Sequence, residues 1–399
     1  MNMQKKNTID MTHGSLWNKL LLFALPLAAS SILQQLFNSV DTAVVGRFAS
    51  SRALAAVGSN SSLIALMINL FIGISLGSNV IISRYIGQKA EEHVKGAIHT
   101  AIVVALCSGI FVLVLGQFIA RPVLTLMGTP KDVIDLAVLY LRIYFLGMPF
   151  IMLYDFSSSI LRSIGDSRRP LYALIAAGII NTGLNLILVI VFHLGVSGVA
   201  IATVVSNIVS SGILFYILLH EQEPIRVRLC GLSIDWGELK KILIIGVPAG
   251  LQGMVFSLAN VCIQSMINSF GSNAIAGSAA ALNFEFFAYF MVNAFAQTTV
   301  TFTSQNYGVG KYKRMDRVLA DCMILTVAVS LIIGCSAYFF GNYILRIYTS
   351  DAEVIKCGLE ILSITTVPYF LCGIMDLFPG ALRGMGYSAV PMILSVIGT

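Results

Sequence analysis

The stretch Leu21–Val40, LLFALPLAASSILQQLFNSV, is apolar for most of its length, carries Pro26 near its start and ends one residue before Asp41. A second stretch, Ile242–Val261, reads ILIIGVPAGLQGMVFSLANV. Pro26 falls on Pro248 and Asn38 on Asn260, an offset of 222. A repeat fixes architecture, so it is followed before any motif. RFASSRALAA (47–56) matches SFGSNAIAG (269–277) after a one-residue deletion. Ser83 and Gly87 of SRYIGQK then fall on Ser304 and Gly308 of SQNYGVGK, at 221. Finally Asp155, Leu161, Arg162, Gly165 and Pro170 meet Asp376, Leu382, Arg383, Gly386 and Pro391, again at 221. One steady offset through four segments makes the chain two copies of one design.

Composition says what that design is made of. The 399 residues are 57% hydrophobic and 11% charged, with a mean hydropathy of +0.86. A soluble domain carries about 25% charged residues. Here the deficit runs the whole length, which describes a polytopic membrane protein. A helix needs about 20 apolar residues to cross a bilayer. That rule gives spans at 16–40, 53–80, 95–118, 132–158, 170–192, 196–219, 240–268, 274–303, 317–340 and 354–380, and an eleventh starting near Ala389. Each half begins on the same side after six crossings, so the repeats are parallel, related by an axis along the membrane normal. The first half continues through two more spans after Pro170, whereas the second reaches only Thr399. The expected fold is therefore all-α, with two pseudo-symmetric six-helix bundles, the second incomplete. Residues 1–220 form the first lobe, 221–238 a linker and 239–399 the second lobe, with its last two spans truncated.

Charge sets orientation. Eighteen lysines and arginines fall at the N-terminus and in the even-to-odd loops, against six on the other side and Arg142 within span four. This asymmetry places the N-terminus in the cytoplasm. The net charge of +6 then reports topology and not affinity for nucleic acid. Met1–Gly14 reads as a cytoplasmic leader, without the regions of a signal peptide. The seven cysteines contain no Cys-x-x-Cys pair, and the five histidines have no ligand spacing. YGVGKYK (307–313) does not follow a strand, so its glycines are no dinucleotide fingerprint. Neither an enzyme nor a cofactor or metal centre is expected.

With Pro26 and NSVDTAVVGR in span one, LRSIGDSRRP closing span four, NTGLNL and LGVSGVAIAT in spans five and six, and LRGMGYSAVP in the second half, the chain resembles the multidrug and toxic compound extrusion (MATE) family. The likeness runs over essentially its whole length. It implies two bundles facing each other in a V, acting as a monomer that exports organic, often cationic, compounds across a bacterial inner membrane by alternating access. Inward flow of protons or sodium ions would drive the export, with Asp41 the acid that is protonated or holds sodium. It also implies partners for Asp41 at positions matching Asn181, Asn185 and Thr203, and a bend near Pro26, where proline removes a helical hydrogen bond. Asn185 stands where many relatives carry an aspartate. A glutamate eight residues after the second proline, used in one branch of the family, is here Phe256.

The residues themselves extend this list. A carboxylate removed from water holds its proton more tightly, which suits Asp41 to coupling. Its alternative is an ordinary helix end beside Arg47, about 22 Å of helix rise beyond Pro26. Gln34 and Asn38 share a stripe with Asp41 and form either a cavity wall or polar contacts between helices. Glu285 lies among Phe284, Phe286, Phe287 and Tyr289, an arrangement suited to an organic cation. Asp155 and Asp376 are repeat mates, each seven residues before an arginine, Arg162 or Arg383, and serve a cavity or a structural pair. The rival functions are a flippase for lipid-linked precursors, whose cavity should be rich in arginine and lysine, and a channel or membrane scaffold. With only Arg142 inside the spans, cationic or neutral cargo is favoured.

Overall fold

A computed structural model describes residues 8–49, 51–268, 272–346, 352–366 and 368–398, with thirteen α-helices and no strand among them. In hydrocarbon every backbone N–H and C=O must be paired within the protein, and long helices achieve this segment by segment. The first bundle holds α1 (Leu16–Phe48), α2 (Ser51–Gln88), α3 (Glu91–Leu126), α4 (Ile134–Leu146), α5 (Met148–Ser163), α6 (Arg168–Leu186) and α7 (Gly195–Leu219). The second holds α8 (Trp236–Asn268), α9 (Ser272–Val309), α10 (Tyr312–Arg346), α11 (Ala352–Thr365), α12 (Tyr369–Met385) and α13 (Ala389–Gly398).

Most helices outrun the expected spans. Span one does not stop at residue 40 but continues to Phe48, so Asp41 and Arg47 lie inside α1. Spans four and ten are each broken. The axis turns by 47° between α4 and α5, where Pro149 follows Gly147, and by 50° between α11 and α12, where Pro368 intervenes. A proline restricts the residue before it and cannot donate to the preceding turn, so the helix ends and restarts. Among the described residues seven helices, plus these two bent pairs, are long and apolar enough to cross a membrane. The span expected at 274–303 falls in α9, which is not among them. Its C-terminal half buries Thr298, Thr299, Thr301, Thr303, Ser304, Gln305 and Asn306 against protein.

Helix α1 serves both bundles. Its first half (Leu16, Leu20, Phe23, Leu27) packs on Phe295, Phe302, Val318 and Cys322 of the second bundle, with Phe23 edge-on to Phe302 at 5.7 Å. Its last turns (Val44, Val45) pack on Tyr140, Val189, Val196 and Val199 of the first. Pro26 lies near the changeover.

The bundles join where α2 crosses α8 and α9. A Cβ on Gly73 would lie 2.1 Å from the Gly250 backbone nitrogen, so only hydrogen fits at this crossing. Farther along, a Cβ on Gly87 would lie 2.3 Å from the Gln305 carbonyl, and one on Gly308 2.3 Å from the Arg84 carbonyl. Both pairs are repeat mates at 221, so the contact is its own mirror through the pseudo-two-fold axis. Close approach through small residues is how membrane helices gain dispersion contact without a hydrophobic driving force. Buried hydrogen bonds accompany it: Thr301 Oγ1 to Asn79 Oδ1 (3.0 Å), Ser304 Oγ to the Val80 carbonyl (2.6 Å), Gln305 Nε2 to the Ser163 carbonyl (2.6 Å) and Arg84 Nη2 to the Met385 carbonyl (2.7 Å). All lie in the helix halves nearest the α2–α3 and α9–α10 turns, the end that carries most of the basic residues.

Two expectations about charge are corrected. Arg162 and Arg383, taken as loop residues, lie in α5 and α12, half-buried. Arg142, taken as the single arginine within a span, is exposed. A polar residue on a helix that outruns its apolar run is counted as loop by hydropathy although its side chain points into protein. Segment 220–235 is docked, with Val227 buried and its N–H bonded to the Leu218 carbonyl, and the Asp235 N–H donating to Thr100 Oγ1 on α3. Within it the Arg228 guanidinium holds the Glu223 carboxyl below the usual carboxylate range.

Gly73→Leu is expected to cost about 1–3 kcal/mol, the price of overpacking a tight contact, read as a lower thermal midpoint in detergent. The same change at Gly212, which has open space around it, should leave the midpoint unmoved.

Candidate functional site

Asp41 sits in the last two turns of α1 and is only 7% exposed. Its partners come from the two helices that flank α1 in the first bundle. Asn185 Nδ2 on α6 donates to Asp41 Oδ1 and also to Asn181 Oδ1, at 3.1 Å. Thr203 Oγ1 on α7 donates to Asp41 Oδ2 at 3.2 Å. Asn181 and Asn185, one turn apart on α6, present the same face, and both are buried. Thr203 also bonds the Val199 carbonyl, which fixes its rotamer. The sequence reading of these four positions as one cluster matches this geometry.

The alternative of a surface helix end does not match. No ion pair joins Asp41 to Arg47, which is exposed, or to any other cation among the described residues. The carboxylate is held by neutral donors, with Tyr140 and Tyr144 of α4 within electrostatic reach. Sequence reasoning missed these tyrosines. Their i, i+4 spacing was a legible signal, but only the α4 break shows which way they face.

Gln34 and Asn38 are exposed, and neither hydrogen-bonds Asp41. The polar stripe of α1 thus passes from open surface to bundle interior within one turn. Asp155 is half-buried on α5, and Tyr144 lies within electrostatic reach of both it and Asp41. Asp155 makes no ion pair with Arg162, whose Nη1 donates across the bundle interface to Gln297 Oε1 at 2.9 Å. Asp376 repeats the pattern in α12: Arg383 Nη2 donates to Gln252 Oε1 on α8, at 2.5 Å. Direct pairing of each acid with its arginine is therefore not seen. Glu285 is half-buried on α9 and accepts a hydrogen bond from Thr365 Oγ1 at 2.5 Å. Of its aromatic neighbours in sequence, Phe286, Phe287 and Tyr289 are exposed, while Phe284 packs on Leu345 and Leu362. Tyr369 of α12 lies within electrostatic reach of both Glu285 and Asp376. Each bundle therefore holds its own acids. Among the described residues no His, Cys, Asp or Glu cluster could bind a metal ion.

An all-helical membrane protein with two repeat-related bundles and a buried acid in one of them has the layout of a secondary transporter. The MatE family model matches residues 26–187 and 248–399, and the chain belongs to that family. It is 30% identical over 390 residues to a probable multidrug resistance protein, YoeA, of Bacillus subtilis (strain 168), covering 96% of this chain and 84% of that one. It is 23% identical to the multidrug export protein MepA of Staphylococcus saprophyticus, over 96% of this chain and 85% of that protein. Among solved structures, an outward-facing multidrug resistance MATE family transporter superposes with a TM-score of 0.90 at 22% identity, over 97% of this chain and 86% of that one. The chain is a multi-pass membrane transporter and not an enzyme.

Removing one donor leaves the buried carboxylate short of hydrogen bonds, whereas removing both partners does not. Asn185→Leu is expected to cost about 1–3 kcal/mol by thermal unfolding, and Asp41→Leu with Asn185→Leu to recover most of that loss. Additive losses would show that the two side chains are not coupled.

Proposed function

We propose that the protein exports organic, often cationic, compounds by antiport against a coupling cation, with Asp41 the coupling acid. The observation that carries this reading is a buried carboxylate on α1 facing Asn185 and Thr203 and, among the described residues, paired with no cation. Such a group is costly in a membrane protein and is retained where it binds or releases a charge. The relatives named for multidrug resistance and export supply the cargo class. Protons are the favoured coupling ion, because Asn185 and Asn181 are amides and Asp41 is the only acid in the cluster. Asn181, Asn185 and Thr203 orient its carboxyl. Pro26 is the hinge, lying between the half of α1 held by the second bundle and the half held by the first. Gln34, Asn38, Asp155, Glu285 and Asp376 line the path of the cargo.

Residues 1–220 and 239–399 are the two moving lobes, joined by 221–238, in a monomer of the bacterial inner membrane. The eighteen-to-six distribution of basic residues supports a cytoplasmic N-terminus. Contact between the bundles at that end supports a cavity open to the outside. The half-buried arginines donate to Gln297, Gln252 and Met385 of the protein itself, which leaves them poorly placed to meet a pyrophosphate.

The test is ethidium export from proteoliposomes under separately imposed proton and sodium gradients. A proton gradient is expected to drive export. Asp41→Asn should slow it about tenfold or more while dye binding persists, and Glu285→Gln should weaken dye binding. Export driven by sodium alone would replace the proton. No export under either gradient would overturn the antiport reading in favour of lipid-precursor flipping or a non-transporting role.

A further inference from the structure

The segment before α1 does more than lead into it. Met11 is fully buried, packed with the α1 residues that face Phe302 and Val318 of the second bundle. Successive carbonyls of the segment are gripped by side chains of α9, α10 and the turn between them. Asn306 Nδ2 (3.2 Å) and Arg314 Nε (3.1 Å) donate to the Met11 carbonyl, and Lys311 Nζ to that of Thr12 at 2.9 Å. Arg314 Nη2 and Nη1 take the carbonyls of His13 and Gly14, both at 3.0 Å. One guanidinium thus holds three carbonyls through its planar fork, a geometry lysine cannot copy. At its other end the segment holds the first bundle: the Ile9 N–H donates to the Gly165 carbonyl at 3.2 Å. A Cβ on Gly165 would lie 2.4 Å from the Ile9 carbonyl oxygen.

The second repeat shows what this position is for. His93 is the repeat mate of Arg314 at 221, and it too reaches the start of the opposite bundle's first helix. There it meets Glu238, at 3.2 Å from Nδ1 to Oε1, and Tyr85 and Lys241 also donate to that buried carboxylate. The same turn of each bundle therefore clasps the other bundle, by two different chemistries.

We propose that residues 9–14 are a releasable strap that locks the bundles together at the basic end, and that its detachment from Arg314 and Lys311 is a required step in opening the cavity toward that end. This rests on the alternating-access reading above, but not on which acid or ion is coupled. The strap is built for release. It is held by side chain to backbone hydrogen bonds at an exposed rim, with His13 and Asp10 side chains 71% and 56% exposed, and Met11 with the partly buried Ile9 are the side chains that have to leave an apolar site.

The test places a reporter under the strap. Ser304 is fully buried at the bundle interface. Ser304→Cys, in protein whose seven native cysteines are replaced, is labelled with a membrane-impermeant maleimide in sealed vesicles of each orientation. Arg314→Ala is expected to speed labelling from the basic end about tenfold or more. Lys313→Ala, which removes the same charge from the same turn at an exposed site, should leave it unchanged. Equal labelling in Arg314→Ala and parent, or an equal rise in Lys313→Ala, overturns the proposal. No drug or ion gradient is needed, so failure of the antiport reading and failure of the strap are read separately. A second measurement guards against a folding defect in Arg314→Ala. His13→Cys is joined to Lys311→Cys by a cleavable thiol cross-linker, across side chains that lie 3.0 Å apart in the parent. The link should slow Ser304→Cys labelling below the parent rate, with recovery on cleavage. Labelling that ignores the link counts against the strap.

Discussion

The crossing of α2 over α8 and α9 is the constraint on which the rest depends. Water is absent from the bilayer core, so burial of apolar surface cannot drive two bundles together there; close packing and buried hydrogen bonds must do it. Gly73 against Gly250, and Gly87 and Gly308 against the Gln305 and Arg84 carbonyls, bring backbones to a distance that no other residue allows. Short side chains then reach carbonyls across the gap, as Ser304 does to Val80 and Gln305 to Ser163. All of this is concentrated in one half of the molecule's height. That half is where the bundles are held to each other, across α2, α8 and α9.

The same scarcity of water explains how the polar interior is arranged. Among the described residues Asp41, Asp155, Glu285 and Asp376 make no ion pair, and Arg162 and Arg383 bond the side-chain amides of Gln297 and Gln252 instead. Arg162 bonds Gln297 of the other bundle while Asp155, two turns earlier on α5, has no ion-pair partner among the described residues. Pairing them would neutralise both and leave the acid inert. Kept apart, the arginine ties its helix to the other bundle through Gln297. Asp41 follows this rule most fully, held by neutral donors that fix its orientation without supplying a countercharge.

Much of this was legible in the sequence. Composition gave the class, the steady offset gave two parallel bundles, and the family resemblance placed Asp41 with Asn181, Asn185 and Thr203. Three things were not legible. Helix ends were misjudged because hydropathy follows the lipid-facing surface, whereas α1 and α9 continue into protein-lined regions that tolerate Asp41 or a run of threonines. The breaks at Gly147 and Pro368 were missed because a proline flanked by apolar residues looks like a kink within a span. The strap was invisible for a different reason. Its bonds are made by backbone carbonyls of residues 11–14, which any sequence provides, and the specificity resides in Arg314, at least 300 residues away.

Gly87 faces the carbonyl of Gln305, and its repeat mate Gly308 faces that of Arg84, itself the mate of Gln305. In a chain built from two copies of one design, a residue on the axis has its own duplicate as neighbour. A change there alters one side of a contact whose other side is fixed by the same ancestral choice, so the two copies can drift only together. Away from the axis each copy answers to different surroundings, and one half can acquire an arginine where the other keeps a histidine. The repeat is therefore kept at Ser83 and Ser304 and at Gly87 and Gly308. Those positions mark not a shared task but a shared border, where each half meets its own duplicate.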